Sequence, residues 1–271
     1  MTFEIGQLVR NAGKDLVSRA YLATAARVGS RKLASADSQR VSIVCYHRVN
    51  EEMKDGVTVP PETFDRQVAL IRRHYQVISL ADLIAGRADR TSPRPIVAIT
   101  FDDGYRDNYD EAAPILHRHD VPATFFVCTG LIGAKCGFQH DIRQYGRALP
   151  TMTWDQLREM RAGFEIGSHT VHHANLAKVD EDVQHTELTL ARDTIRREIG
   201  VEAVPFAYCY GGRGDITPQR RAMVREAGYT CCLSAYGGTN KGPIDPFDIK
   251  RFTASWAMRE SVFRARIEGW A

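Results

Sequence analysis

The chain has 271 residues, with 36 Lys and Arg against 33 Asp and Glu and a formal net charge of +3. Hydrophobic residues at 44% and charged residues at 25% exclude a disordered or fibrous chain, and the near balance of charge gives no call for a nucleic-acid partner. No apolar run reaches the length of a membrane span, and a single α/β domain can take up this many residues.

In residues 1–40, Ile5, Leu8, Val9, Ala12, Leu16 and Ala20 recur at helical spacing, with Arg10 and Lys14 on the opposite face. This predicts an amphipathic helical extension ahead of a domain over 41–271. Such a helix suits either packing on the domain or peripheral contact with an anionic membrane surface. The segment lacks the apolar core and cleavage site of a secretory signal, so the expected location is cytoplasmic, with the inner face of the membrane as the place such a helix would take it.

Apolar runs at 41–46, 96–101, 123–128, 164–167, 204–208 and 229–233 read as strands. Helical periodicity fills 62–74, 107–119, 154–162, 180–199 and 217–227 between them, and Thr153 with Gln156 makes a capping-box start. Strand–helix alternation predicts parallel strands with crossover helices. The connection 129–150 is long for such a unit, and Tyr145 and Phe138 are its candidates for stacking on a ligand. Six cysteines without Cys-x-x-Cys spacing, three or four of them in strands, favour a reducing compartment.

Two clusters carry chemistry. Thr100-Phe101-Asp102-Asp103-Gly104 puts adjacent carboxylates at a strand end, where they diverge; buried acids need a partner such as a cation. Ser168-His169-Thr170-Val171-His172-His173 holds two histidines four apart, which a helical turn would stack on one face. With Asp103 they form a His-His-Asp set that leaves positions open, as catalytic zinc sites do. By spacing alone His172 could replace His173.

These motifs resemble those of the NodB-type polysaccharide deacetylases, carbohydrate esterase family four. Val121–Val127, Gly163–His169 and Phe206-Ala207-Tyr208-Cys209-Tyr210-Gly211-Gly212 resemble further stretches of that family, so the likeness covers roughly residues 41–260. It implies a distorted (β/α)7 barrel, an α/β fold, and removal of N-acetyl groups from a polysaccharide, oligosaccharide or lipid-linked glycan. It assigns Asp103, His169 and His173 to a divalent metal, zinc first with cobalt or nickel as substitutes, Asp102 to the general base and the Tyr210 N–H to the oxyanion. Oligomeric state is left unspecified.

Four features depart from the pattern. The usual C-terminal Leu-x-His is missing, since no histidine follows His185; instead Val41–Tyr46 leads to His47, like the permuted arrangement of the biofilm-polysaccharide deacetylase branch, and His47 takes the general-acid role. Ala207 stands near the place of the arginine that orients the base, Cys209 near that of a proline, and Ala174 follows the second histidine where proline is usual. Arg213 and Arg251 are the candidates for the missing charge and for substrate contact, although an arginine in such a loop ordinarily lies on the surface. A deformylase, another linear-amide hydrolase of this fold, or a non-catalytic glycan-binding protein are the alternative functions.

Overall fold

The structure, a computed structural model, describes residues 40–269; the expected N-terminal helix lies outside the described residues. None of the described helices is long and apolar enough to cross a membrane.

Strands β1 (Val41–Tyr46) and β5 (Ile96–Phe101) are buried at every position. That is why both read as continuous apolar runs: a parallel sheet covered on both faces leaves no polar side. Three short strands, β2 (Arg48–Val49), β3 (Thr58–Val59) and β4 (Gln76–Val77), lie between them. Beyond β5 follow β6 (Thr124–Val127), β7 (Glu165–Ser168), β8 (Phe206–Ala207), β9 (Cys232–Leu233) and β10 (Phe252–Thr253). The main sheet runs β10-β1-β5-β6-β7-β8-β9, with β4 also paired to β5, and all its pairings are parallel. A bridge from Leu233 to Ile249, three residues before β10, draws its ends together. The result is the distorted barrel expected, with the first and last strands as neighbours.

The helices are α1 (Pro61–His74), α2 (Leu80–Ile84), α3 (Ala113–Arg118), α4 (Gln139–Tyr145), α5 (Trp154–Met160), α6 (Glu181–Ile199), α7 (Pro218–Glu226) and α8 (Glu260–Ile267). Buried Leu188, Ala191, Ile195 and Ile199 set the inner face of α6 at helical spacing, and Gly200 (φ 73°) ends it in the left-handed conformation. The capping box on α5 is present as expected, both of its bonds formed. The helix expected over 107–119 is instead a π-turn, Asn108–Ala112, leading into α3. The short α2, α4 and α8 escape sequence reading, because elements of one or two turns carry too few apolar repeats to show a period.

Strand alternation fixes what faces the barrel axis. Val41 and Ile43 of β1, Ile96 and Ala98 of β5, and Ala207 and Leu233 farther round meet Phe126 and Ile249 in the inner cluster. Their alternates Val44, Tyr46, Val97, Ile99 and Phe101 pack outward under the helices. Counting on in twos from the inner set reaches His47, Asp102 and Arg251. From Gly167 the same step reaches His169. Gly167 is required there: a Cβ would lie 2.6 Å from the Phe126 ring and 3.0 Å from Pro205.

Candidate active site

The named side chains all lie at or beyond the C-terminal ends of parallel strands, the face where barrels of this kind carry their sites. Tyr46 pairs with Phe101, so His47 and Asp102 leave adjacent strands at one level, and the Asp102 N–H donates to the Tyr46 carbonyl at 2.9 Å. Asn108, fully buried in the π-turn, donates to the His47 carbonyl at 2.8 Å. His169 continues β7, and its N–H donates to Val127 at 2.9 Å.

Asp103 is buried, and its Oδ1 lies 3.2 Å from His173 Nε2 and 3.5 Å from His169 Nε2. That oxygen accepts no hydrogen bond. The Nδ1 of His169 is 2.8 Å from the Ala207 carbonyl, which can only accept, so Nδ1 carries a proton and Nε2 is the nitrogen left to ligate a cation. An orphaned carboxylate oxygen between imidazole nitrogens is a donor set that fits a divalent cation. Two groups of possible donor atoms also lie within 4.8 Å of one another: His169, His173 and Cys209, and Cys45, His47 and Asp102. The Cys209 thiol is directed to the His169 carbonyl, 3.2 Å away, whereas Asp103 Oδ1 has no other use, so Asp103 is the better third donor.

Burial opposes the charge on Asp103, yet His173, with His47 and His169, holds its carboxyl well below the usual carboxylate range. Burial likewise works against charged imidazoles, but the negative charge that Cys209 carries when ionised, with that of the nearby carboxylates, outweighs it and raises both His169 and His173. A cation must displace those protons, so its affinity falls as pH is lowered.

The turn between the two histidines is not helical, contrary to the stacking expected. Thr170 (φ 65°) and His173 (φ 59°) are left-handed, as are Asp103 (φ 74°) and Tyr210 (φ 61°). Only one other described non-glycine residue, Asp120, shares that conformation, so backbone strain is concentrated at the site. Buried Glu187 of α6 clamps the turn. It accepts from the N–H groups of Val171 (2.8 Å) and His172 (2.9 Å) and pairs with His172 Nδ1 at 2.7 Å. His172 is therefore turned away to the surface, and the choice left open by spacing falls on His173. Glu187→Ala should weaken metal binding by about 10–100-fold without unfolding the domain, as judged by chelator competition and circular dichroism.

Asp102 lies against Arg251. Two parallel bonds, Nη1 to Oδ1 at 2.7 Å and Nη2 to Oδ2 at 2.6 Å, join them, and both side chains are buried. Burial raises the Asp102 pKa, but Arg251 and then His169 and His47 outweigh it and keep the carboxyl below its ordinary value. Arg251 is thus neither a surface residue nor free for substrate; it supplies a charge beside Asp102 that Ala207 cannot. Arg213 stays exposed, its guanidinium 5.4 Å from the centre of the Tyr236 ring, and does not enter the site. Tyr145 is also held elsewhere, its hydroxyl bonded to Asp55 and 3.4 Å from Arg48. Phe138 is buried against Tyr105 and His173 and has no face for a sugar.

His47 is half-buried with Nε2 4.0 Å from Asp102 Oδ2. Burial lowers its pKa against the pull of Asp103 and Asp102, which makes it neutral at rest. Tyr210 stands exposed with its ring edge-on to His173 at 4.7 Å. Its N–H takes part in no backbone hydrogen bond among the described residues, unlike those of Tyr208 and Gly211 beside it.

Comparisons with known proteins bear on the fold and the family. The Bacillus subtilis (strain 168) protein YxkH is 25% identical over 232 residues, covering 84% of this chain and 76% of its own. A poly-beta-1,6-N-acetyl-D-glucosamine N-deacetylase of Staphylococcus aureus (strain MSSA476) is 22% identical over 161 residues, 58% of this chain, which spans only about half (52%) of that relative. In fold, the Streptococcus pyogenes deacetylase PplD in complex with acetate superposes with a TM-score of 0.69 at 22% identity, over 84% of this chain and 98% of its own. IcaB from Ammonifex degensii gives 0.68 at 21%, over 87% and 99%. A family model described as polysaccharide deacetylase matches residues 89–232, more than half of the sequence, and the chain belongs to that metal-dependent family of glycan-deacetylating hydrolases.

Proposed function

We propose that this protein removes N-acetyl groups from a glycan containing β-1,6-linked N-acetylglucosamine, with zinc as its metal and cobalt or nickel as substitutes. The carrying observation is the pairing of Asp102 with Arg251 beside the Asp103–His169–His173 set. A base kept ionised next to a cation site has no use in a protein that only binds sugar. The substrate class is taken from the staphylococcal relatives and from the position of His47 on the first strand.

In this reading Asp103, His169 and His173 hold the cation, which when bound supplies Lewis acidity and an acidified water. Asp102 accepts a proton from the attacking water as its oxygen bonds to the acetyl carbon. The Tyr210 N–H points its dipole at the charge developing on the former carbonyl oxygen. Collapse breaks the carbon–nitrogen bond, and the departing amine takes a proton from His47 Nε2. Neutral at rest, His47 first gains that proton from Asp102, 4.0 Å away; its lowered pKa then makes it a ready donor. The products are acetate and a free sugar amine.

Purified protein incubated with a β-1,6-linked N-acetylglucosamine oligomer is expected to release acetate in step with new amines. Chelation should abolish this and added zinc restore it. Release of formate from an N-formylated analogue, with none of acetate, would favour the deformylase alternative instead.

A further inference from the structure

Helix α4 carries His140 to the edge of the site, and the bonds around it determine which ring nitrogen holds the proton. Asp141 next to it is fully buried, with Oδ1 accepting from Arg48 Nη1 at 2.8 Å and Oδ2 from the Tyr105 hydroxyl at 2.9 Å. The single proton of Tyr105 is thereby committed to Asp141, and the phenol oxygen is left as an acceptor. His140 Nε2, 3.1 Å from that oxygen, must therefore be the donor. In the neutral ring this leaves Nδ1 with a lone pair. Nδ1 has no partner among the described residues and is not one of the buried unpartnered atoms, so it opens on solvent. The side chain is 32% exposed and its ring centre is 5.2 Å from that of His173. An acceptor of fixed tautomer therefore stands free beside a metal-site histidine.

Resting on the proposed function, we infer that His140 is a substrate-contacting residue whose Nδ1 accepts a hydrogen bond from a sugar hydroxyl next to the acetyl group being removed. The loop 129–150 thus reads the glycan through a hydrogen-bond acceptor rather than through the aromatic faces of Tyr145 and Phe138. Arg48, Asp141 and Tyr105 act as positioning residues that hold the tautomer.

The test uses the zinc-loaded protein and a β-1,6-linked N-acetylglucosamine oligomer. His140→Ala should lower kcat/KM about tenfold, mainly through KM, with zinc content unchanged, as for a lost binding contact. His140→Asn, whose Oδ1 takes the place of Nδ1, should recover most of the loss. A fall carried by kcat, a loss of zinc, or no rescue by Asn would overturn the assignment. Calorimetry of the same oligomer on Asp102→Asn with and without His140→Ala separates this from failure of the deacetylase reading. Tenfold weaker binding in the double variant supports the contact even where acetate is not released, and equal or absent binding in both overturns it.

Discussion

Asp102→Asn is expected to lower kcat by about 10²–10⁴-fold while the protein keeps its metal, because general-base catalysis contributes about that much and Asp102 is not one of the proposed ligands. The amide has the shape of the carboxylate but cannot take a proton from water. It also leaves the buried Arg251 guanidinium without its counter-charge, so the rate must be measured below the variant's unfolding temperature. Acetate release and metal analysis on one preparation decide the outcome. Turnover near that of the wild type would remove Asp102 from the reaction, and loss of metal would make it a ligand.

Arg251→Met should destabilise the fold by about 3–5 kcal/mol at neutral pH, the usual cost of stranding one partner of a buried ion pair. The pH dependence follows from Asp102. Its carboxyl lies below its ordinary value in the folded protein, so the stabilisation is present above the unfolded value of about 4 and is lost as pH falls through the folded one. The gap between wild type and variant, read from urea unfolding, should therefore shrink in acid. Kinetically, burial without the arginine raises the carboxyl, and the acid limb of kcat/KM moves to higher pH. An unshifted limb would mean that Arg251 does not tune the base.

Much of the site was legible because strand alternation and motif spacing are local. The stretch Ile96–Phe101 is buried at every position, and the acids stand at its end as read. His47 and His169 both face Asp102, at 4.0 and 3.8 Å, and the Tyr210 ring lies against His173. Arg251 reads in sequence as one of two loop arginines that could supply the missing charge, and the signal that separates it from Arg213 is that Ile249 and Arg251 are two apart, so that on a strand they share the inner face. The two-residue β10 was too short to suggest that reading. The Arg48–Asp141–Tyr105–His140 network could not be seen at all, since it joins residues up to 93 positions apart and depends on a short helix without a periodic signature. Nor does spacing reveal Glu187. A carboxylate on a long helix looks like a solvated one until the turn it clamps is packed against it.

The seam of the barrel has a bearing on synthesis and truncation. His47 follows the first described strand, whereas Arg251 immediately precedes the last, and β1 pairs with β10 at Val44–Phe252 and Cys45–Thr253. His47 and Arg251, the proposed acid and base-holder, thus come from opposite ends of the described domain and reach Asp102 together only when the ring is zipped shut. A fragment halted before residue 251 can retain every proposed metal-binding side chain, and so bind metal in an assay, yet lack the arginine that keeps Asp102 ionised.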